Sequence, residues 1–109
     1  RAAALAAIGD IGWQDSDGAT VEHALASSAW QIRQGAARAL AGAPSPTAAV
    51  PPLSRALADP HLDVRKAAVL SLTRWAPSEE AARTALTSAL DDGDADVRAY
   101  ARRALEAAR

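Results

Sequence analysis

The chain predicts an all-α fold of the solenoid type, in which antiparallel helix pairs stack along one axis. Three observations carry that expectation. The first is recurrence: Ile32-Arg33, Val64-Arg65 and Val97-Arg98 each open a similar Ala-rich stretch ending in Leu40, Leu72 and Leu105. Their arginines lie 32 and 33 residues apart (33, 65, 98), a period at which each unit must stack on its neighbours to bury its apolar side. The second is phase. Counting from Val64 as zero, Ala67, Ala68, Ser71, Leu72 and Trp75 fall at +3, +4, +7, +8 and +11, one stripe of a helix. The third is composition: half the residues are hydrophobic, yet Phe, Met and Cys are absent. Alanine lets helices approach closely but buries little area per residue, so a continuous stack has to collect many modest contacts.

The elements follow in order. The period places a half repeat at 1–12, where Arg1 matches Arg33, and full repeats at about 17–43, 46–76 and 78–109. Seven helices are expected, near 1–11, 17–27, 30–42, 47–58, 62–75, 79–91 and 95–108. The short first helices carry Val21 and Leu25, Leu53 and Leu57, and Leu86 and Leu90 one turn apart. Ser45-Pro46 reads as an N-cap followed by proline at the first helical position. Ser78 before Glu79 and Glu80 places acids in a first turn. Asp94 and His61 occupy matching N-cap positions, with Asp96 and Asp63 just inside. Pro51-Pro52 falls inside a first helix and should make it kink or begin there. The whole forms one repeat domain over 1–109, read as a piece of a longer solenoid whose open side at Ala3, Leu5 and Ile8 favours self-association.

Composition narrows the function. The formal net charge is −1, so no basic field calls for nucleic acid. Absence of cysteine removes disulfides and thiolate nucleophiles and leaves the redox compartment undecided. No stretch approaches the roughly 18 apolar residues of a membrane span. No signal peptide is visible, although the chain opens on Arg1; the expected setting is the cytoplasm.

Ala49-Val-Pro-Pro-Leu53, followed by Leu57-Ala-Asp-Pro-His-Leu-Asp-Val64-Arg65-Lys-Ala-Ala68-Val-Leu-Ser-Leu72, resembles a HEAT repeat of the short bacterial kind, the HEAT-like or phycobilisome-lyase type. The resemblance spans nearly the whole chain and is specific for fold. It implies a ladder between units, in which the turn aspartates Asp59 and Asp92 meet the helix arginines Arg33, Arg65 and Arg98. Recurrence supports a structural role: a catalytic group is needed once, whereas a stacking device is needed in every unit.

Other candidates read as structural. His23 and His61 are the only imidazoles and lie 38 residues apart, without the cluster a metal requires. Asp91, Asp92, Asp94 and Asp96 lack the length and terminal bidentate acid of a calcium loop and suit helix entry instead. No phosphate-binding glycine loop or nucleophile elbow is present. Trp75 is expected in the core, Trp30 against the turn, and Trp13 in a connection with little constraint. No metal, cofactor or catalytic residue is expected.

In such stacks the resemblance places the second helices on the concave side. There the positions facing away from the stripe include Arg38, Lys66, Val69, Leu70, Thr73, Arg102 and Arg103. An apolar spot at Val69 and Leu70 rimmed by cations suits a protein interface. The expected function is a non-catalytic scaffold or adaptor binding another protein, or another domain of its own chain, through that face. The alternatives are polyanion or nucleic-acid binding along the arginine stripe, and an accessory domain of a bilin-lyase-like or reductase enzyme. Neutral overall charge and the aliphatic centre weigh against the polyanion.

Overall fold

The computed structural model describes residues 17–109. The half repeat at 1–12, Trp13 and the self-association expected of Ala3, Leu5 and Ile8 lie outside the described residues. Six α-helices follow one another: α1 (Asp17–Leu25), α2 (Trp30–Ala39), α3 (Pro46–Ala56), α4 (Leu62–Leu72), α5 (Glu80–Ala89) and α6 (Ala95–Ala107). A 3-10 turn, Leu40–Gly42, prolongs α2. No strand is present among the described residues.

Most helices end a little earlier than the apolar pattern suggests, because their last turns tighten. After α3, the amides of Ala58 and Asp59 donate three residues back, to Arg55 and Ala56. Those of Asp91 and Asp92 repeat this after α5. Such bonds satisfy carbonyls that an α-helix leaves open at its C-terminus.

The caps explain the starts. The Ser45 hydroxyl accepts the Ala48 amide, with Pro46 at the first helical position. His61 Nδ1 accepts the Asp63 amide at 3.1 Å, and Asp94 accepts from Asp96 and Val97. At α5 the cap position falls on Glu79, which makes no side-chain cap bond; Ser78 instead closes the preceding turn through its amide to the Trp75 carbonyl. Helix α3 starts at Pro46 and continues through Pro51 and Pro52, so it does not begin at that pair. The missing donors leave the Thr47 and Ala48 carbonyls on an exposed stretch, where solvent can satisfy them.

Helices pair within each unit (α1 with α2, α3 with α4, α5 with α6), and units stack mainly through their second helices, α2 on α4 and α4 on α6. Between α1 and α3 a furrow of about 400 Å³ runs past Glu22, Leu25, Pro52 and Arg55. The core threads between the two layers: Val21, Leu40, Leu53, Val64, Leu72, Leu86 and Val97 are fully buried. Small residues fill the helix crossings, with Ala36, Ala37, Ala49, Ala68 and Ala101 wholly enclosed. One buried hydroxyl sits among them, and Ser71 donates it to the Ala37 carbonyl at 2.7 Å. Trp75 is buried as expected; its indole N–H has no partner among the described residues, and Arg74 lies over its ring at 4.0 Å.

Candidate functional site

Two sets of charged side chains must be separated before any surface can be assigned. The first holds the stack together. Arg33, one turn into α2, reaches the turn after α3, where its Nε and Nη2 donate to the two oxygens of Asp59 at 2.8 and 3.1 Å. Its Nη1 donates to the Ser27 carbonyl of its own unit at 3.0 Å. Arg65 repeats the arrangement one unit on, with Nε to Asp92 at 3.1 Å and Nη1 to the Asp59 carbonyl at 3.0 Å. In both turns the aspartate is also a local cap. Asp59 accepts the His61 amide, and Asp92 accepts the Asp94 amide.

Burial alone would raise the Asp59 carboxyl, but the Arg33 hydrogen bond, the His61 amide and nearby positive charge outweigh it and hold the group below its ordinary value. The same hydrogen bond raises the Arg33 guanidinium. Planar bidentate pairing of this kind is a task for arginine rather than lysine. Arg98 keeps the inner bond, Nη1 to the Asp92 carbonyl at 2.8 Å, but meets no carboxylate among the described residues.

The second set lies on the outward side of the second helices. Leu70 is 57% exposed, the large hydrophobic side chain most at odds with its surroundings. It lines a groove of about 450 Å³ with Gln34, Arg38, Asp63, Lys66 and Tyr100. Arg38 is exposed and makes no ion pair among the described residues. Lys66 is engaged: its ammonium donates to Asp96 at 3.1 Å, a bond that holds it above its ordinary value. Thr73 is exposed, with its hydroxyl turned back to the Val69 carbonyl. Arg103 is exposed one helix further along.

Of the seven residues expected on this face, Arg38, Lys66 and Leu70 line the groove; Thr73 and Arg103 are exposed outside its lining, and Val69 and Arg102 lie elsewhere. Val69 is completely buried. Its position in α4 matches Ala37 of α2, the residue whose carbonyl receives Ser71 from the next second helix; this side of each second helix is therefore covered by its successor. Arg102 holds the same position in α6. It is exposed, but on the side turned away from α4, outside the groove.

Three contributions escaped the sequence pattern. Tyr100 occupies a place held by Gly35 and Ala67 in the other units, and a ring that large at a small-residue position is a readable sign of surface use. Arg74 donates to the Ala41 carbonyl and, at 2.9 Å, to that of Ala43, closing the end of α2. Trp30 packs on the turn as expected, but the turn is the next unit's: its ring stacks on His61 with centroids 3.8 Å apart and planes 11° from parallel.

Among the described residues, no three His, Asp or Glu side chains gather as a metal site would need. No helix there is long and apolar enough to cross a membrane. The recurring Asp–Arg rungs and stacked pairs agree with what comparison with known families finds: residues 18–106 match HEAT repeats. The chain belongs to the HEAT-repeat family. The match does not distinguish the phycobilisome-lyase type within it, and no curated protein matches the chain. HEAT repeats generally serve as protein-interaction scaffolds and are typically non-catalytic.

Proposed function

We propose that this HEAT-repeat chain is a non-catalytic scaffold segment that binds another protein through the groove of its second-helix face. The observation that carries the reading is Leu70, an aliphatic side chain left in the open within a groove that has cations on its rim. Fully covering a leucine is worth about 1.5–3 kcal/mol, and with 57% of Leu70 still exposed roughly half of that is left for a partner. Arg38 and Arg103 are uncommitted, so they are suited to orient a partner and speed its approach. Tyr100 adds an amphipathic ring of the sort enriched in interface centres.

Polyanion binding is less well served by the same surface. Arg33, Arg65 and Lys66 are paired with carboxylates, and Arg74 and Arg83 are tied to backbone carbonyls. At the groove itself Arg38 is the one lining cation without a carboxylate partner among the described residues, too little positive charge to neutralise a run of phosphates.

The test is quantitative capture from the source lysate with wild-type, Leu70→Asp and Arg38→Glu chains side by side. A genuine groove partner should lose at least 2 kcal/mol of affinity with Leu70→Asp, about thirtyfold. Arg38→Glu should slow its association and change the salt dependence. The reading is overturned if no captured protein responds to Leu70→Asp, or if the substitution unfolds the chain and so shows Leu70 to be core.

A further inference from the structure

We infer that the occupant of the second-helix face is a polyproline II segment lying across α2, α4 and α6, with an acid, an apolar residue and a second acid at every third position. This rests on the reading of that face as a protein-binding surface and adds what the partner must look like. It starts from a row. Arg38, Leu70 and Arg103 hold the same place in the three second helices, six residues beyond Ile32, Val64 and Val97. The helices are in step: Arg33 and Arg65 make the same reach to the aspartate of the following turn, and Ser71 meets the Ala37 carbonyl beside Arg38. The row therefore crosses the stack with an arginine on each side of a leucine, running one helix past the lining of the groove. All three side chains are exposed. Leu70 is open although α2 and α6 stand on either side of α4, so helix phase, not a missing neighbour, turns this position outward.

Charge singles out the same row. Arg33 and Arg65 are held by Asp59 and Asp92, and Lys66 by Asp96. Arg38 and Arg103 make no ion pair among the described residues. Helix α2 carries no acid, and Glu106, one turn beyond Arg103, is not paired with it. Asp63 also lines the groove, but two turns back from Leu70 at the entrance of α4. A segment following the row meets positive, apolar and positive ground in turn.

Spacing selects the conformation. Packed helices lie about 8–10 Å apart. Polyproline II has three residues per turn and rises about 3.1 Å per residue, so one face repeats about every 9.3 Å. A β-strand repeats a face about every 6.6 Å and falls out of step; an α-helix needs seven residues per step, about 10.5 Å, and overshoots. Tyr100 lines the groove and supplies the kind of aromatic wall on which such segments dock. Because the segment is already extended when free, little order has to be imposed on binding.

The test is an NMR titration of the whole chain with the capped peptide Glu-Pro-Pro-Leu-Pro-Pro-Glu, following the Arg38 and Arg103 Nε–Hε signals and the Leu70 methyl groups. All three should shift together and saturably. The peptide Glu-Pro-Leu-Pro-Glu carries the same groups out of step and should bind about tenfold more weakly. Replacing both glutamates by glutamine should weaken binding about fivefold, the scale of two exposed ion pairs. Arg38→Gln and Arg103→Gln, both at exposed positions, should each weaken it about twofold. The inference is overturned if the peptide does not bind at millimolar concentration, if the out-of-step or neutral peptide binds equally well, or if only one arginine responds. Sedimentation of the chain alone adds a further check: a dimer that Leu70→Asp dissolves would give the row to a second copy and overturn the inference too. Each of these failures leaves the groove standing as long as a captured lysate partner still responds to Leu70→Asp; absence of that response removes both.

Discussion

The two junctions between described units share one device and differ in nearly everything else. Both carry an Asp–Arg rung. The first, where α2 meets α4, also has the Trp30–His61 stack, the Ser71 hydroxyl on Ala37, and Arg74 holding the end of α2. At the second, where α4 meets α6, the corresponding residues are Leu62 with Asp94, then Ala104 and Ala107, none of which can make those contacts. In their place is the exposed Lys66–Asp96 pair. The rung is what the repeat requires; the rest is fitted junction by junction. Since stability in a stacked array is a sum of unit and neighbour terms, the first junction should be the stronger.

The largest effect comes from breaking the core that both junctions share. Leu72 is fully buried in the middle unit, so Leu72→Ala should cost about 2–5 kcal/mol, read as a fall in the denaturation midpoint. Leu105 holds the same repeat position in α6 but is only partly buried. Leu105→Ala should therefore cost clearly less. Equal losses would mean that repeat position, rather than neighbours, sets burial.

The rungs test the comparison directly. Asp59→Ala removes both acceptors of the Arg33 fork and the cap on His61, leaving a half-buried guanidinium unpaired. A loss of about 2–3 kcal/mol is expected, in the range for hydrogen bonds to charged groups. Asp92 takes a single Nε bond from Arg65, and Asp92→Ala should cost about 1–2 kcal/mol at neutral pH. The pH dependence has a definite sign. Because the folded Asp59 carboxyl lies below its ordinary value, its stabilisation is fully present above the unfolded pKa and is lost as pH falls through the folded pKa. Asp59→Asn should accordingly flatten the acid limb of the stability curve below about pH 4. An unchanged acid limb would remove the rung from the account of this junction.

The same contrast explains how much the sequence could reveal. The caps at His61 and Asp94 and the buried leucines were legible because they recur at matching repeat positions, and the cap at Ser45 because proline follows it. Leu70 was legible too, since one helix's periodicity is enough to turn it outward. Val69 was not: a single helical wheel shows which side faces the partner helix of its own unit, but not which side the next unit covers. A clue was present in the column itself, where Ala37 and Val69 give way to Arg102. Cross-unit contacts such as Trp30 on His61 join residues outside the repeated pattern, so no periodicity announces them. Tyr100 falls on the apolar stripe by count, and only its size beside Gly35 and Ala67 shows that it cannot be enclosed there.

The smallest expected effect isolates that aromatic contact. Stacked rings contribute roughly 0.5–1.5 kcal/mol beyond the area they cover, and the Trp30–His61 pair is partly exposed, so the lower part of that range applies. His61 also caps α4, and His61→Ala would mix the two roles. His61→Asn keeps a good capping side chain while removing the ring. A double-mutant cycle of Trp30→Leu with His61→Asn, measured by denaturation, should give a coupling of about 0.5–1 kcal/mol. The same cycle at the corresponding positions of the second junction, Leu62→Ala with Asp94→Asn, should give a coupling near zero, since no stacked pair exists there to break. If both cycles gave the same value, the stack would be adding contact area alone, and the greater strength of the first junction would have to rest on its rung and on Arg74.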